Sequence, residues 1–243
     1  MIDLHSHILP DQDDGARNLQ ESLAMARMAV DSGITAMVAT PHCMGNRARE
    51  VVEAWELLRE ALAETEIPLQ LLLGMEIFGT PDTPRMLRDG ELFTLNGSRY
   101  PLVEFAFSSD GVEETQILHS LCNMGYRPVV AHPERYAYVQ QEPEILNHWH
   151  KMGCLMQINR GSLLGRFGGR ARETALELVD RGFAAAVSTD AHSVRMRTPW
   201  LADVREMLEE TFSPEYAATL LHRNPRKIVR NEEILPAEPE WFR

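Results

Sequence analysis

Asp3-Leu4-His5-Ser6-His7 near the N-terminus and Ser188-Thr189-Asp190-Ala191-His192 near the C-terminus each end a short apolar run with side chains that ligate divalent metals. In an extended strand, residues two apart face the same way. His5 and His7 can therefore converge on one ion, as can Asp190 and His192. Brought together by folding, the two stretches would make a metal centre.

The elements that must position them follow a regular alternation. Strand-like runs are predicted at residues 1–5, 34–40, 69–77, 100–107, 127–132, 154–159 and 184–189. Helical patterns are predicted at 18–32, 47–64, 112–124, 143–152, 170–181, 199–210 and 214–222, with a short turn at 224–229. Gly33, Gly125, Gly153 and Gly182 stand where helices should stop before the next strand. This alternation predicts seven parallel strands with helices outside.

Nearly every predicted strand ends in a potential ligand. His5 and His7 end the first, His42 the second and Glu76 the third; Glu104 lies on the fourth, His132 on the fifth, and Asp190 with His192 on the seventh. In a barrel the C-terminal strand ends form one mouth, where active sites lie. His148-Trp149-His150 serves as an internal control. It falls on a predicted helix, where positions two apart are about 200° apart and cannot share an ion. We read it, with His119 and His222, as surface or packing.

Four segments together carry a resemblance. Met1-Ile2-Asp3-Leu4-His5-Ser6-His7-Ile8, Asp13-Asp14-Gly15, His132-Pro133-Glu134-Arg135-Tyr136 and Asn224-Pro225-Arg226-Lys227-Ile228 resemble the bacterial capsule and exopolysaccharide protein-tyrosine phosphatases of the polymerase-and-histidinol-phosphatase (PHP) superfamily. The likeness spans essentially the whole chain. It implies one α/β domain over residues 1–243, a distorted (β/α)7 barrel with three metal ions at the C-terminal strand ends. By that resemblance His5, His7, Glu76 and Asp190 hold one ion, and Glu76 bridges to a second held with Glu104 and His132. Asp14, His42 and His192 hold the third, with adjacent Asp13 as the alternative to Asp14. The all-nitrogen-and-oxygen donor set fits Mn²⁺, Fe²⁺ or Zn²⁺, and the resemblance favours Mn²⁺. Arg135 and Arg197 occupy positions whose counterparts contact substrate phosphate, and Asn159 is a candidate for the pocket wall. The implied partner is a phosphotyrosine protein, the autophosphorylated tail of a membrane-bound tyrosine kinase controlling polysaccharide export.

Such a site has a defined chemistry. Closely spaced cations lower the pKa of a bound water from ~15.7 to roughly 7, supplying hydroxide at neutral pH that attacks phosphorus without a phosphoenzyme. They also neutralise charge on the phosphoryl oxygens. Tyrosine, with a pKa of ~10, leaves more easily than an alkyl alcohol.

Composition narrows the alternatives. The 243 residues carry 24 Lys and Arg against 36 Asp and Glu, a formal net charge of -12. That charge argues against nucleic acid and anionic membrane as partners. Cys43, Cys122 and Cys154 are odd in number and lack zinc-finger spacing. With no signal peptide and no apolar run of ~20 residues, a cytoplasmic protein without membrane insertion is expected. Three rivals remain. Cys43 through Arg49 has the Cys-five-Arg spacing of cysteine-based tyrosine phosphatases, but Glu50 replaces the usual hydroxyl residue. A PHP-type barrel can instead act on histidinol phosphate or a phosphodiester, or serve as a catalytically silent scaffold. The glycine-rich 165–170 segment reads as a mobile loop beside the site rather than a phosphate cradle.

Overall fold

The computed structural model describes residues 1–43, 47–234 and 238–242. Among these, the strands are β1 (Ile2–Ser6), β2 (Ala36–Ala39), β3 (His42–Cys43), β4 (Gln70–Leu73), β5 (Glu76–Phe78), β6 (Leu102–Glu104), β7 (Val129–Ala131), β8 (Leu155–Asn159) and β9 (Ala184–Ser188). The helices are α1 (Leu19–Asp31), α2 (Ala48–Glu64), α3 (Thr83–Arg88), α4 (Val112–Asn123), α5 (Ala137–Gln141), α6 (Ile145–Lys151), α7 (Arg160–Leu163), α8 (Gly169–Asp180), α9 (Ala202–Thr211), α10 (Pro214–Ala218) and α11 (Asn224–Val229). Every strand pairing is parallel.

The seven expected strand positions are present, but two are split. The second becomes β2 and β3, interrupted at Thr40-Pro41; the third becomes β4 and β5, interrupted at Gly74-Met75. Pro41 has no N–H to give a ladder, so regular pairing stops there. At Gly74 an added Cβ would fall 2.9 Å from a Val38 methyl, so the chains approach too closely for a side chain. The order is thus β1-β2-β4 in one sheet and β3-β5-β6-β7-β8-β9 in the other. Gly74 N–H donating to Ala39 O (2.9 Å) and Glu76 N–H to Pro41 O (3.1 Å) carry the pairing across the break. The result is a distorted barrel.

Helix ends follow the expected chemistry. Asn18 caps α1 by accepting from the Glu21 N–H at 3.0 Å. Gly33, Gly125, Gly153 and Gly182 all take positive φ, from 80° to 98°, where they turn the chain out of a helix toward the next strand. Helix α3 escapes the sequence reading because it is too short to show a period. The predicted 214–222 helix is α10 running into a wide π-type turn, Thr219–Arg223.

One apolar cluster packs the helices against the outside of the strands. A second joins Leu4, Val38, Leu102, Val129, Leu155 and Ala186 from successive strands to Ile228, Val229 and Ile234. At the opposite, C-terminal ends the interior turns polar.

Closure of the first strand on the last is made there. Asp190 N–H donates to His5 O (2.9 Å), and His7 N–H to Ala191 O (2.8 Å). Beneath them the buried Asp3 carboxylate accepts from the Thr189 N–H (3.1 Å), the Thr189 hydroxyl and the His5 N–H (3.3 Å). Thr189→Val would leave one buried Asp3 oxygen without its donor. It is expected to cost about 1–3 kcal/mol in urea denaturation of the metal-free protein, and a loss below about 0.5 kcal/mol would show that closure does not lean on this contact.

Candidate metal centre

The strand ends, with Asp14 from the loop after β1, bring every predicted ligand to one mouth. Glu76 lies at its hub. Its Oε2 is 3.1 Å from His5 Nε2, 3.2 Å from His7 Nε2 and 3.0 Å from His42 Nδ1, while its Oε1 is 2.9 Å from His132 Nε2. Asp190 Oδ1 stands 3.4 Å from both His5 Nε2 and His7 Nε2. Four groups of donor atoms are each contained within 4.8 Å: His5-His7-Asp190, His5-Glu76-His132, His42-Glu76-Glu104 and His7-Asp14-His42-His192. His42 borders two of them, with Nδ1 2.9 Å from Glu104 and Nε2 3.7 Å from Asp14. The backbone is strained at this mouth: His132 (φ 36°) and Asp190 (φ 51°) are both left-handed, as is Arg197 (φ 51°).

A second layer aims the imidazoles. His7 Nδ1–H donates to Asp13 Oδ2 at 2.6 Å. The same carboxylate accepts from the N–H groups of His42 (2.8 Å) and Gly15 (2.9 Å). Gly15 is required because a Cβ there would lie 2.1 Å from His7 O. His5 Nδ1–H donates to Gln157 Oε1 (2.9 Å), whose amide nitrogen donates to Asn159 Oδ1 (2.9 Å). His192 Nδ1–H donates to the Asp190 carbonyl at 3.0 Å. Each bond leaves an Nε2 facing the centre, the arrangement that orients metal-ligating histidines. It also separates the adjacent aspartates: Asp13 orients, whereas Asp14 presents Oδ1 to His192 Nε2 at 3.2 Å.

The donor set fits divalent cations. Glu76 Oε2, Asp190 Oδ1 and His192 Nε2 are buried and make no hydrogen bond among the described residues, although buried polar atoms are ordinarily satisfied. Burial opposes charge on Glu76, yet the imidazoles of His5, His132 and His42 hold its carboxyl well below the usual range. The same holds for Asp190, where His5, His7 and Arg197 overcome burial. With the His192 imidazole beside it, Asp14 is likewise depressed. In return, Glu104 and Glu76 outweigh burial at His42 and raise its imidazole to about 10. At His192 burial prevails instead and lowers the imidazole, so the pull on positive charge centres on the Glu76 side of the mouth.

The arginines also converge. Arg197 forms an ion pair with Asp190 Oδ2, and Arg135 Nη1 lies 3.5 Å from that oxygen. Asn159 donates to it from Nδ2 at 2.6 Å. The carboxylate is therefore held on Oδ2 while Oδ1 faces the imidazoles of His5 and His7. The cysteine alternative gains no support: Cys43 is buried on β3, and Arg49 pairs with Glu53 on the exposed face of α2 at 2.7 Å. Residues 44–46 of that motif lie outside the described residues. His150 packs against Phe183 and Trp241, as expected of a packing histidine.

Sequence reasoning missed Gln157 and the orienting role of Asp13. Gln157 shares the alternation of Asn159 on β8 and was findable by that period. It also missed Phe107 and Phe167, whose rings lie 4.6 and 4.2 Å from the Arg135 guanidinium. Their positions on connecting loops carry no periodic signal.

Comparisons with known proteins point to one family. Residues 1–230 match the family model described as capsular polysaccharide synthesis, CpsB/CapC. The chain is 36% identical to the tyrosine-protein phosphatase YwqE of Bacillus subtilis (strain 168) over 244 residues, covering 99% of this chain and 96% of that protein. It is 29% identical to the tyrosine-protein phosphatase CpsB of Streptococcus pneumoniae, covering 96% of this chain and all of that one. A crystal structure from work on YwqE of Bacillus subtilis and CpsB of Streptococcus pneumoniae, described as unique metal-dependent tyrosine phosphatases, superposes with a TM-score of 0.94 at 35% identity over 100% of both chains. A dihydroorotase at 15% identity and a TM-score of 0.57, covering 98% of this chain and 72% of that one, shares the fold alone. With its mouth of histidines and carboxylates and a family match over nearly its full length, the chain belongs to the CpsB/CapC family of capsular polysaccharide synthesis proteins.

Proposed function

We propose that the chain is a metal-dependent protein-tyrosine phosphatase, one domain over residues 1–243, acting on phosphotyrosine in a protein of a polysaccharide export system. The observation that carries this reading is the trio of buried donor atoms on Glu76, Asp190 and His192 that make no hydrogen bond among the described residues, set beside two arginines. Kinship with the phosphatases of Bacillus subtilis and Streptococcus pneumoniae supports the tyrosine substrate. The tyrosine kinase of the export system is the proposed partner. Among the described residues no helix is long and apolar enough to cross a membrane, and the cytoplasm is the proposed compartment.

Three divalent ions, preferably Mn²⁺, would be held by His5, His7, Glu76 and Asp190, by Glu76, Glu104 and His132, and by Asp14, His42 and His192. When bound, such ions activate water as a nucleophile and neutralise charge on phosphoryl oxygens. The chain's own residues do the rest. Arg135 and Arg197 release part of their hold on Asp190 Oδ2 and grip phosphoryl oxygens with paired N–H donors. Asn159 keeps Asp190 in place as they turn. Asp13 and Gln157 hold the imidazoles of His7 and His5 with Nε2 inward throughout. The tyrosyl oxygen, with a pKa of ~10, leaves without a strong general acid.

Turnover of a phosphotyrosine peptide should vanish on chelation, return with Mn²⁺ and persist in Cys43→Ser; chelator-resistant activity lost in Cys43→Ser would reverse the assignment. Arg135→Ala and Arg197→Ala are each expected to lower kcat/KM by about 10²–10³-fold, as loss of one charge-stabilising donor does; a fall below about threefold would remove that arginine from phosphate binding. Asp13→Ala should weaken metal binding about 10–100-fold in a titration, with the fold intact by circular dichroism. Undiminished affinity would mean that the His7 orientation does not depend on Asp13.

A further inference from the structure

A groove of about 270 Å³ opens beside the metal mouth, lined by Phe107, Arg135, Gln140, Phe167 and Ala171. Two features set it apart from an ordinary surface crease. Phe107, on the loop after β6, leaves 43% of its surface exposed although it is a large apolar side chain. Phe167, on the glycine-rich loop before α8, is held inward by a tailored seat: a Cβ on Gly161 would fall 2.6 Å from its Cε2. Gly165 (φ 76°) and Gly168 (φ 95°) let the loop turn on either side of it.

The groove is continuous with the phosphate-binding end of the site. Arg135 is the shared wall, with its guanidinium carbon 4.6 Å from the Phe107 ring and 4.2 Å from the Phe167 ring and its Nη1 3.5 Å from Asp190 Oδ2. Arg197 adds a second link, at 5.8 Å from the Phe167 ring. A ligand whose phosphoryl group engages both arginines would carry the group beyond its bridging oxygen into this groove, where Phe107, Phe167 and Ala171 offer apolar surface beside the polar Gln140. A planar aromatic ring fits that groove, gaining edge and face contacts with phenylalanine that an alkyl chain of similar reach does not.

We propose that Phe107 and Phe167 form the subsite for the aromatic ring of the phosphotyrosine substrate, and so set the preference for aryl over alkyl phosphate. This rests on the phosphatase reading above. The test uses phosphonates, whose P–C bond is not hydrolysed, so leaving-group chemistry plays no part. Affinities of the Mn²⁺-loaded protein for benzylphosphonate and methylphosphonate are measured by calorimetry in wild type, Phe107→Ala and Phe167→Ala. Wild type should prefer benzylphosphonate, and each substitution should lower the benzyl-to-methyl affinity ratio about three- to tenfold. An unchanged ratio overturns the proposal. If both affinities fall together, the rings only position Arg135; if neither moves, they are bystanders. A loaded wild type that binds neither phosphonate would contradict the phosphatase reading itself, and the subsite with it.

Discussion

Two carboxylates, Glu76 and Asp190, are buried at the barrel mouth, each with one oxygen aimed at a ring of imidazoles and making no hydrogen bond among the described residues. Burying a carboxylate costs several kcal/mol unless positive charge answers it. Every nearby feature supplies that answer or holds it in place. His5, His7, His42 and His132 crowd Glu76, while Arg135, Arg197 and Asn159 secure the far oxygen of Asp190. A concentration of acidic oxygens and imidazole nitrogens this dense is chemically suited to divalent cations.

The barrel serves that constraint. Parallel strands bring their C-terminal ends to one level, and closure of β9 on β1 sets His5 and His7 against Asp190 and His192. The breaks in the second and third strand positions matter as much. By resuming pairing only at His42 and Glu76, the chain places both residues opposite one another in register. The strained backbones of His132 and Asp190 add local cost, of order 1–3 kcal/mol each, that surrounding packing must offset.

Much of this was legible in the sequence because two independent periods coincide there. Alternation of short apolar runs with helical stretches marked the strands, and ligating residues recurred at the strand ends. Glycine at 33, 125, 153 and 182 fixed where helices give way, and the positive φ at each agrees. Less was legible where the determining contact is distant in sequence. The division of labour between Asp13 and Asp14 depends on which one meets His7 Nδ1 across the loop, and adjacency cannot reveal that. The split strands depend on the approach of Gly74 to Val38. Phe107 and Phe167 lie 60 positions apart on irregular loops, and both rings reach the Arg135 guanidinium.

Glu76 lies in two of the donor groups at once, so removing its charge should affect more than one ion position. Native mass spectrometry of Mn²⁺-loaded protein, wild type beside Glu76→Gln, tests that expectation most directly. About three ions per chain are expected in wild type, falling to about one in Glu76→Gln as the positions sharing that carboxylate empty while Asp14, His42 and His192 keep theirs. A wild type without bound ions, or a Glu76→Gln protein with the wild-type number, would contradict it.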